Sequence, residues 1–148
     1  MTAAESPSIA LIDSPELMPP AGHYSHVARH GGLLFLSGQL PITPSGDTLA
    51  SEPFEAQARQ VLANVDACLR AAQARREDLI SVTVSVTDIA DWPTFDALYR
   101  RWLGDHRPAR AVAQVAGLHY GSALEVQATA VAAIVESREA RGPREEDR

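Results

Sequence analysis

Arg110 and Glu125 are the two side chains in the C-terminal half whose types and spacing suit chemistry on a small anion. Arg110 follows Pro108-Ala109 at the start of a predicted strand, and Glu125 stands fifteen residues later at the start of the last one. A guanidinium presents a planar fork that grips a carboxylate through two parallel hydrogen bonds. A carboxylate beside it can take a proton from water. Two readings of the pair stand at this level. One is a salt bridge at a sheet edge; the other is a shared pocket in which Arg110 holds a substrate carboxylate while Glu125 handles a proton.

Other constellations carry less. His23, His26 and His30 form H-x2-H-x3-H. In a strand, however, His23 faces away from the other two, and His26 and His30 stand roughly 13 Å apart at about 3.3 Å per residue. The expectation is of partly exposed polar side chains near a turn, with His23 or His26 able to line a pocket, and no metal ligands are assigned. No G-x-S-x-G nucleophile elbow is present. Ser37, in Leu36-Ser37-Gly38-Gln39, reads as a turn residue. Cys68 lies beside the apolar face of a predicted helix and reads as a small buried hydrophobe.

Composition removes further classes. All 13 basic residues are arginine, so neither a Schiff-base lysine nor a P-loop lysine is available. Against 19 acidic residues they leave a net charge of -6, which argues against coating nucleic acid. One cysteine excludes an internal disulfide framework and a cysteine-rich zinc site. The apolar run at residues 32–36 is far shorter than the roughly 20 residues of a membrane helix. The first residues lack a basic stretch followed by an apolar one, so a cytoplasmic protein is expected.

The elements that must position these residues show clear periods. Short strands are expected at residues 9–12, 24–29 and 33–37, with His30-Gly31-Gly32 as a hairpin turn. A helix follows, with Ser51 as its N-cap and Pro53 in its first turn. Its apolar face carries Phe54, Ala58, Val61, Leu62, Val65, Leu69 and Ala72. Then Ile80, Val82, Val84 and Val86 alternate with Ser81, Thr83, Ser85 and Thr87, a strand with one buried and one hydroxyl-lined face. A second helix is capped by Asp91, has Pro93 in its first turn, and places Trp92, Phe95, Tyr99, Trp102 and Leu103 on one side. Strands at 111–115 and 124–135 close the domain. The order β-β-β-α-β-α-β-β predicts an α+β domain at residues 8–136, with both helices on one face of a single sheet. The other face, lined by Ser, Thr and small residues, is expected to meet another subunit or a cavity. Residues 1–7 and 137–148 read as a flexible tail and a disordered charged tail.

Several stretches, in order, resemble the RidA (YjgF) family of reactive intermediate/imine deaminases. Gly22-His23-Tyr24-Ser25-His26 resembles that family's G-P-Y-S-Q, and residues 34–41 its V-F-V-S-G-Q-I-P. Residues 57–65 are similar to its first helix, and residues 78–88 to its D-V-V-K-T-T-V-Y-L-T-D. Most specific are Pro108-Ala109-Arg110 and Glu125-Val126-Gln127-Ala128, similar to P-A-R-S and E-I-E-A at the family's spacing. The resemblance implies a chorismate-mutase-like subunit with a six-stranded, mainly antiparallel sheet. It also implies a homotrimer with ligand sites between neighbours, and hydrolysis of enamines or imines such as 2-aminoacrylate to 2-oxo acids and ammonia without a metal or organic cofactor. Carried over, Arg110 holds the substrate carboxylate and Glu125 positions or deprotonates the attacking water. Tyr24 shapes the cleft, the backbone at Gly38 and Val112 meets the ligand's polar end, Ser37 supports the wall, and Asp96 and Tyr120 join the lining.

This chain departs from the pattern at His23 for Pro, Val112 for a small hydroxyl or thiol residue, Gln127 for the second Glu, and Asp96 for an Asn. An Asp96 facing the cleft disfavours an anionic ligand, so it either points away or the substrate differs. A second function class fits the same residues: a trimeric binding or chaperone-like protein that holds small carboxylates without turning them over. Ribonuclease activity fits the acidic balance poorly.

Overall fold

The computed structural model describes residues 8–133. In chain order these form β1 (Ala10–Ile12), β2 (Val27–His30), β3 (Leu33–Gln39), α1 (Phe54–Ala71), β4 (Leu79–Val86), α2 (Trp92–Leu103), β5 (Ala109–Gln114) and β6 (Leu124–Val131). The predicted α+β order holds, as does the six-stranded sheet. Both expected tails lie outside the described residues.

The strands lie in the order β1-β2-β3-β6-β4-β5. Every neighbouring pair is antiparallel except β4 and β5, which run parallel because α2 crosses over between them. The last strand is therefore central, inserted between β3 and β4. It ends at Val131, short of the predicted 135, because its partner β3 starts at Leu33; beyond it Ala132 N–H donates to Gly32 O at 2.8 Å, and residues 134–135 are outside the described range. The hairpin turn falls where expected, with Gly31 at φ 57°, a backbone that favours glycine.

Both helices cover one face. Leu34, Leu36, Val82, Val84, Val86, Val126 and Leu124 pack there against Val61, Val65, Leu69 and Phe95, all nearly or fully buried. Cys68 is fully buried among them, as expected, and burial pushes its thiol up to about 12. The aromatic side of α2 forms a staircase, Trp92–Phe95–Tyr99–Trp102, with successive ring centroids 6.2, 5.5 and 6.0 Å apart. On the opposite face Thr83 and Gln127 are exposed, but so are Leu33, Phe35 and Val131, so that face is more apolar than its hydroxyl pattern suggests.

Three local expectations fail for identifiable reasons. Ile80 is exposed, not buried: the β4–β6 register shifts between Leu79 and Ser81, and that bulge turns Leu79 inward in its place. Ser51 does not cap α1. The helix starts after Pro53 without a side-chain cap, and the Gln57 amide instead donates to Glu52 O at 2.9 Å. Asp91 occupies the cap position of α2 but makes no capping bond; Asp88 accepts from Ala90 N–H at 2.9 Å, ordering the turn just before.

Candidate functional site

Alternation along the ladders decides where each candidate points. Arg110 pairs with Val82 across β4–β5, so it shares the helix-covered face with Val82 and Val84. Glu125 pairs with Ser85 across β4–β6, one step out of phase, and so belongs to the other face. Within one chain the two residues accordingly line different pockets, and the expectation of a single pocket shared at adjacent strand ends is not met by one subunit.

Arg110 lines a cavity of about 570 Å³ at the C-terminal half of α2, together with Asp96, Tyr99, Arg100, His106 and Arg107. Its guanidinium carbon lies 4.4 Å from the Trp92 ring centroid and 4.9 Å from that of Tyr99, so the cation lies over both rings on α2's aromatic side. Asp96 accepts from Arg110 Nη1 at 3.1 Å and from Arg100 Nε at 2.9 Å. Burial alone would raise the Asp96 carboxyl, but these two hydrogen bonds and charges outweigh it and hold the group below the usual carboxylate range. Asp96 therefore does face Arg110, and one arm of the fork is already engaged. Burial raises the Tyr99 hydroxyl, keeping the ring under Arg110 a neutral phenol; among the described residues that hydroxyl has no hydrogen-bond partner. Val112 lies two residues further along β5, half-buried against the core.

Glu125 lines a second cavity of about 500 Å³ with Tyr24, Ser37, Gly38, Tyr120 and Gln127, bringing together five of the eight residues singled out from the sequence. Among the described residues no donor meets its carboxylate. A β-bulge builds this pocket: Leu36 pairs with Ala128 and Gln39 with Val126, so Ser37 and Gly38 together oppose Gln127. Ser37 is thus a strand residue rather than a turn residue, and its hydroxyl donates to Ser25 O at 2.6 Å. Gly38 leaves room for the Glu125 side chain: a Cβ there would sit 2.7 Å from Glu125 Cδ, and the carboxylate would have to move. Tyr120 adopts φ 60° and is followed by Gly121 at 68°. A left-handed tyrosine is costly, roughly 1 kcal/mol, and it presents an exposed ring on the pocket wall.

The histidine triplet does not converge. His26 is buried, contrary to the expected partial exposure: its Nδ1 accepts from the Ser14 backbone N–H at 2.9 Å, and its backbone N–H donates to Asp13 Oδ1 at 3.1 Å. It lines a small cavity behind Gly38, whereas His23 and His30 are exposed.

Sequence reasoning missed the supports behind these walls. Asn64 on α1 donates to Leu40 O at 3.1 Å and Ile42 O at 2.9 Å, fixing the segment after β3. Gln57 accepts from Ala123 N–H at 2.9 Å, tethering the chain just before Glu125. Both are buried polar residues seven apart, interrupting α1's apolar stripe, and that interruption was the available signal. The i,i+4 spacing of Asp96 and Arg100 was the signal for that ion pair.

Sheet order, crossover and paired cavities define a small α+β domain that offers an arginine on one face of its sheet and a carboxylate on the other. Residues 15–132 match the model of the family described as Endoribonuclease L-PSP, and the chain belongs to this family, that of the RidA/YjgF proteins. It is 35% identical over 111 residues to a RutC family protein of Pyrococcus horikoshii, covering 75% of this chain and 88% of the relative. To the human 2-iminobutanoate/2-iminopropanoate deaminase it is 34% identical over 110 residues, covering 74% and 80% respectively. The crystal structure of E. coli TdcF with bound serine superposes with a TM-score of 0.77 at 32% identity, covering 82% of this chain and 98% of that one.

Proposed function

We propose that the protein hydrolyses imines and enamines of 2-oxo acids, releasing ammonia, at sites formed between the subunits of a homotrimer. The observation that carries this reading is the separation of Arg110 and Glu125 onto opposite faces of one sheet, each in an open cavity. The Arg110 cavity holds the carboxylate anchor without Glu125, and the Glu125 cavity has no arginine among its lining residues. A cyclic assembly in which one face of each subunit meets the other face of its neighbour unites them three times over. The exposed Leu33, Phe35 and Val131 give the Glu125 face an apolar surface suited to such contact. The human relative's name as an imine deaminase supports the chemistry, and the serine bound to TdcF supports a small amino-acid-like ligand.

In this mechanism the free nitrogens of Arg110 hold the substrate carboxylate, and contact with the Trp92 and Tyr99 rings and with Asp96 keeps the fork from swinging. Glu125 accepts a proton from water, whose oxygen bonds to the carbon of the protonated imine to give a carbinolamine. Glu125 returns that proton to the nitrogen; as the C–N bond breaks and ammonia leaves, Glu125 takes the hydroxyl proton and the oxygen becomes the carbonyl of the 2-oxo acid. An enamine enters by prior protonation at carbon. With no lysine in the chain, attack by water replaces a covalent amine adduct.

The test is release of 2-oxo acid from freshly generated 2-aminoacrylate. Wild type accelerates it, and Arg110→Ala lowers kcat/KM by about a hundredfold, the scale of a lost charge-assisted contact. Equal rates for the two proteins overturn the assignment, and saturable carboxylate binding with no product formed establishes a binding protein instead.

A further inference from the structure

The cavity around Arg110 is more basic than one substrate carboxylate requires. Arg100, Arg107 and Arg110 all line it, with a single carboxylate, Asp96, among them. In a chain of net charge -6 this is a local reversal of sign. Asp96 is shared by Arg100 and Arg110, and Arg107 has no carboxylate partner among the described residues. A ligand with one carboxylate leaves an uncompensated cation in the wall, whereas a ligand with two restores neutrality.

Placement agrees with charge. Pro108 biases Arg107 towards extended backbone, so its Cα stands roughly 10 Å from that of Arg110 at about 3.3 Å per residue, and both residues are among those lining the cavity. Two guanidinium groups on long stems at that separation can hold the two ends of a four- or five-carbon diacid. A cavity of about 570 Å³ is also far roomier than a three-carbon imine needs.

We infer that this site selects imines of 2-oxo dicarboxylic acids, with Arg110 on the carboxylate next to the imine carbon and Arg107 on the distal one. The inference rests on the deaminase reading above. The reaction is unchanged: water adds at the imine carbon, the C–N bond breaks, and the products are ammonia and a 2-oxo diacid.

The test generates imines in place with flavin amino-acid oxidases, from D-alanine on the one hand and from D-aspartate and D-glutamate on the other. Each loses its stereocentre on oxidation. The readout is the ratio of kcat/KM for the dicarboxylic imine to that for the alanine-derived imine. Wild type should favour the dicarboxylic imine by about tenfold or more, the scale of one charge-assisted contact. Arg107→Ala should bring the ratio towards one, Arg107→Lys should restore part of it, and added salt should shrink it. A wild-type ratio near or below one, or a ratio unmoved by Arg107→Ala, overturns the inference while leaving the deaminase reading intact. Failure to hydrolyse any imine overturns both.

Discussion

Replacing Gly38 with alanine tests how closely the bulge in β3 sets Glu125. An added Cβ would lie 2.7 Å from Glu125 Cδ, 3.0 Å from Oε2 and 3.1 Å from Cγ. Ordinary contact begins near 3.4 Å, so the carboxyl carbon must retreat by about 0.7 Å. Glu125 opens onto a cavity and can swing, so the cost to stability is the low end of overpacking, about 1 kcal/mol. The cost to reaction is larger, because misplacing a reacting group by about 1 Å lowers rate on the order of a hundredfold. Gly38→Ala should therefore lose about two decades of kcat/KM for imine hydrolysis while its urea midpoint moves little. Gly38→Ala combined with Glu125→Asp, whose shorter chain draws the carboxyl away, should regain the lost stability without regaining rate. A well-folded Gly38→Ala protein with wild-type kcat/KM would refute the reasoning that Glu125 must occupy this position.

Asp66 takes two hydrogen bonds from Arg76 at 2.8 Å and one from the Trp102 indole at 3.0 Å, with its side chain only 15% exposed. Asp66→Ala should cost about 2–3 kcal/mol, reduced somewhat because Arg76 is partly solvated; a urea midpoint lowered at unchanged slope checks this. The Cys68 thiol, pushed up to about 12, should stay silent to Ellman's reagent at pH 8 until denaturant is added. Since the unfolded thiol ionises near 8.5, its stabilising effect is whole below that pH and drains away between there and about 12. Asp96 has the opposite sign: its folded carboxyl lies below the ordinary value, so its pairing with Arg110 is intact above about pH 4 and lost only as pH falls through the lowered value. Trp92 fluorescence, with Arg110 stacked on it, should be flat above that point and change below it, and Asp96→Asn should lack that acid step.

Local pattern was readable wherever it was governed by local physics. The stripe from Val61 to Leu69, the aromatic side of α2 and the alternation from Val82 to Val86 each follow from one element meeting one core. What escaped was set by partners distant in sequence. Ile80 obeys period two on paper but lies beside a bulge that only the β6 pairing reveals. The phase difference that sends Arg110 and Glu125 to opposite faces comes from the separate registers of β5 and β6 on β4, which spacing along the chain cannot supply. The resemblance to RidA proteins named both residues, but their placement on opposite faces of one sheet emerges only from those registers. Asp96 was flagged as an anomaly, and its hold on Arg110 became visible once α2 lay over β5.

The central claim is that Arg110 of one subunit works with Glu125 of the next. Arg110→Ala and Glu125→Ala chains, each nearly inactive alone, should be co-expressed in equal amounts with different tags and purified as mixed assemblies. If sites lie between copies of a cyclic trimer, every mixed assembly, two chains of one kind and one of the other, keeps both residues intact at one of its three sites, about one third. Imine hydrolysis should then return to about that fraction of wild type. Mixed assemblies no more active than their parents would contradict a site shared between subunits.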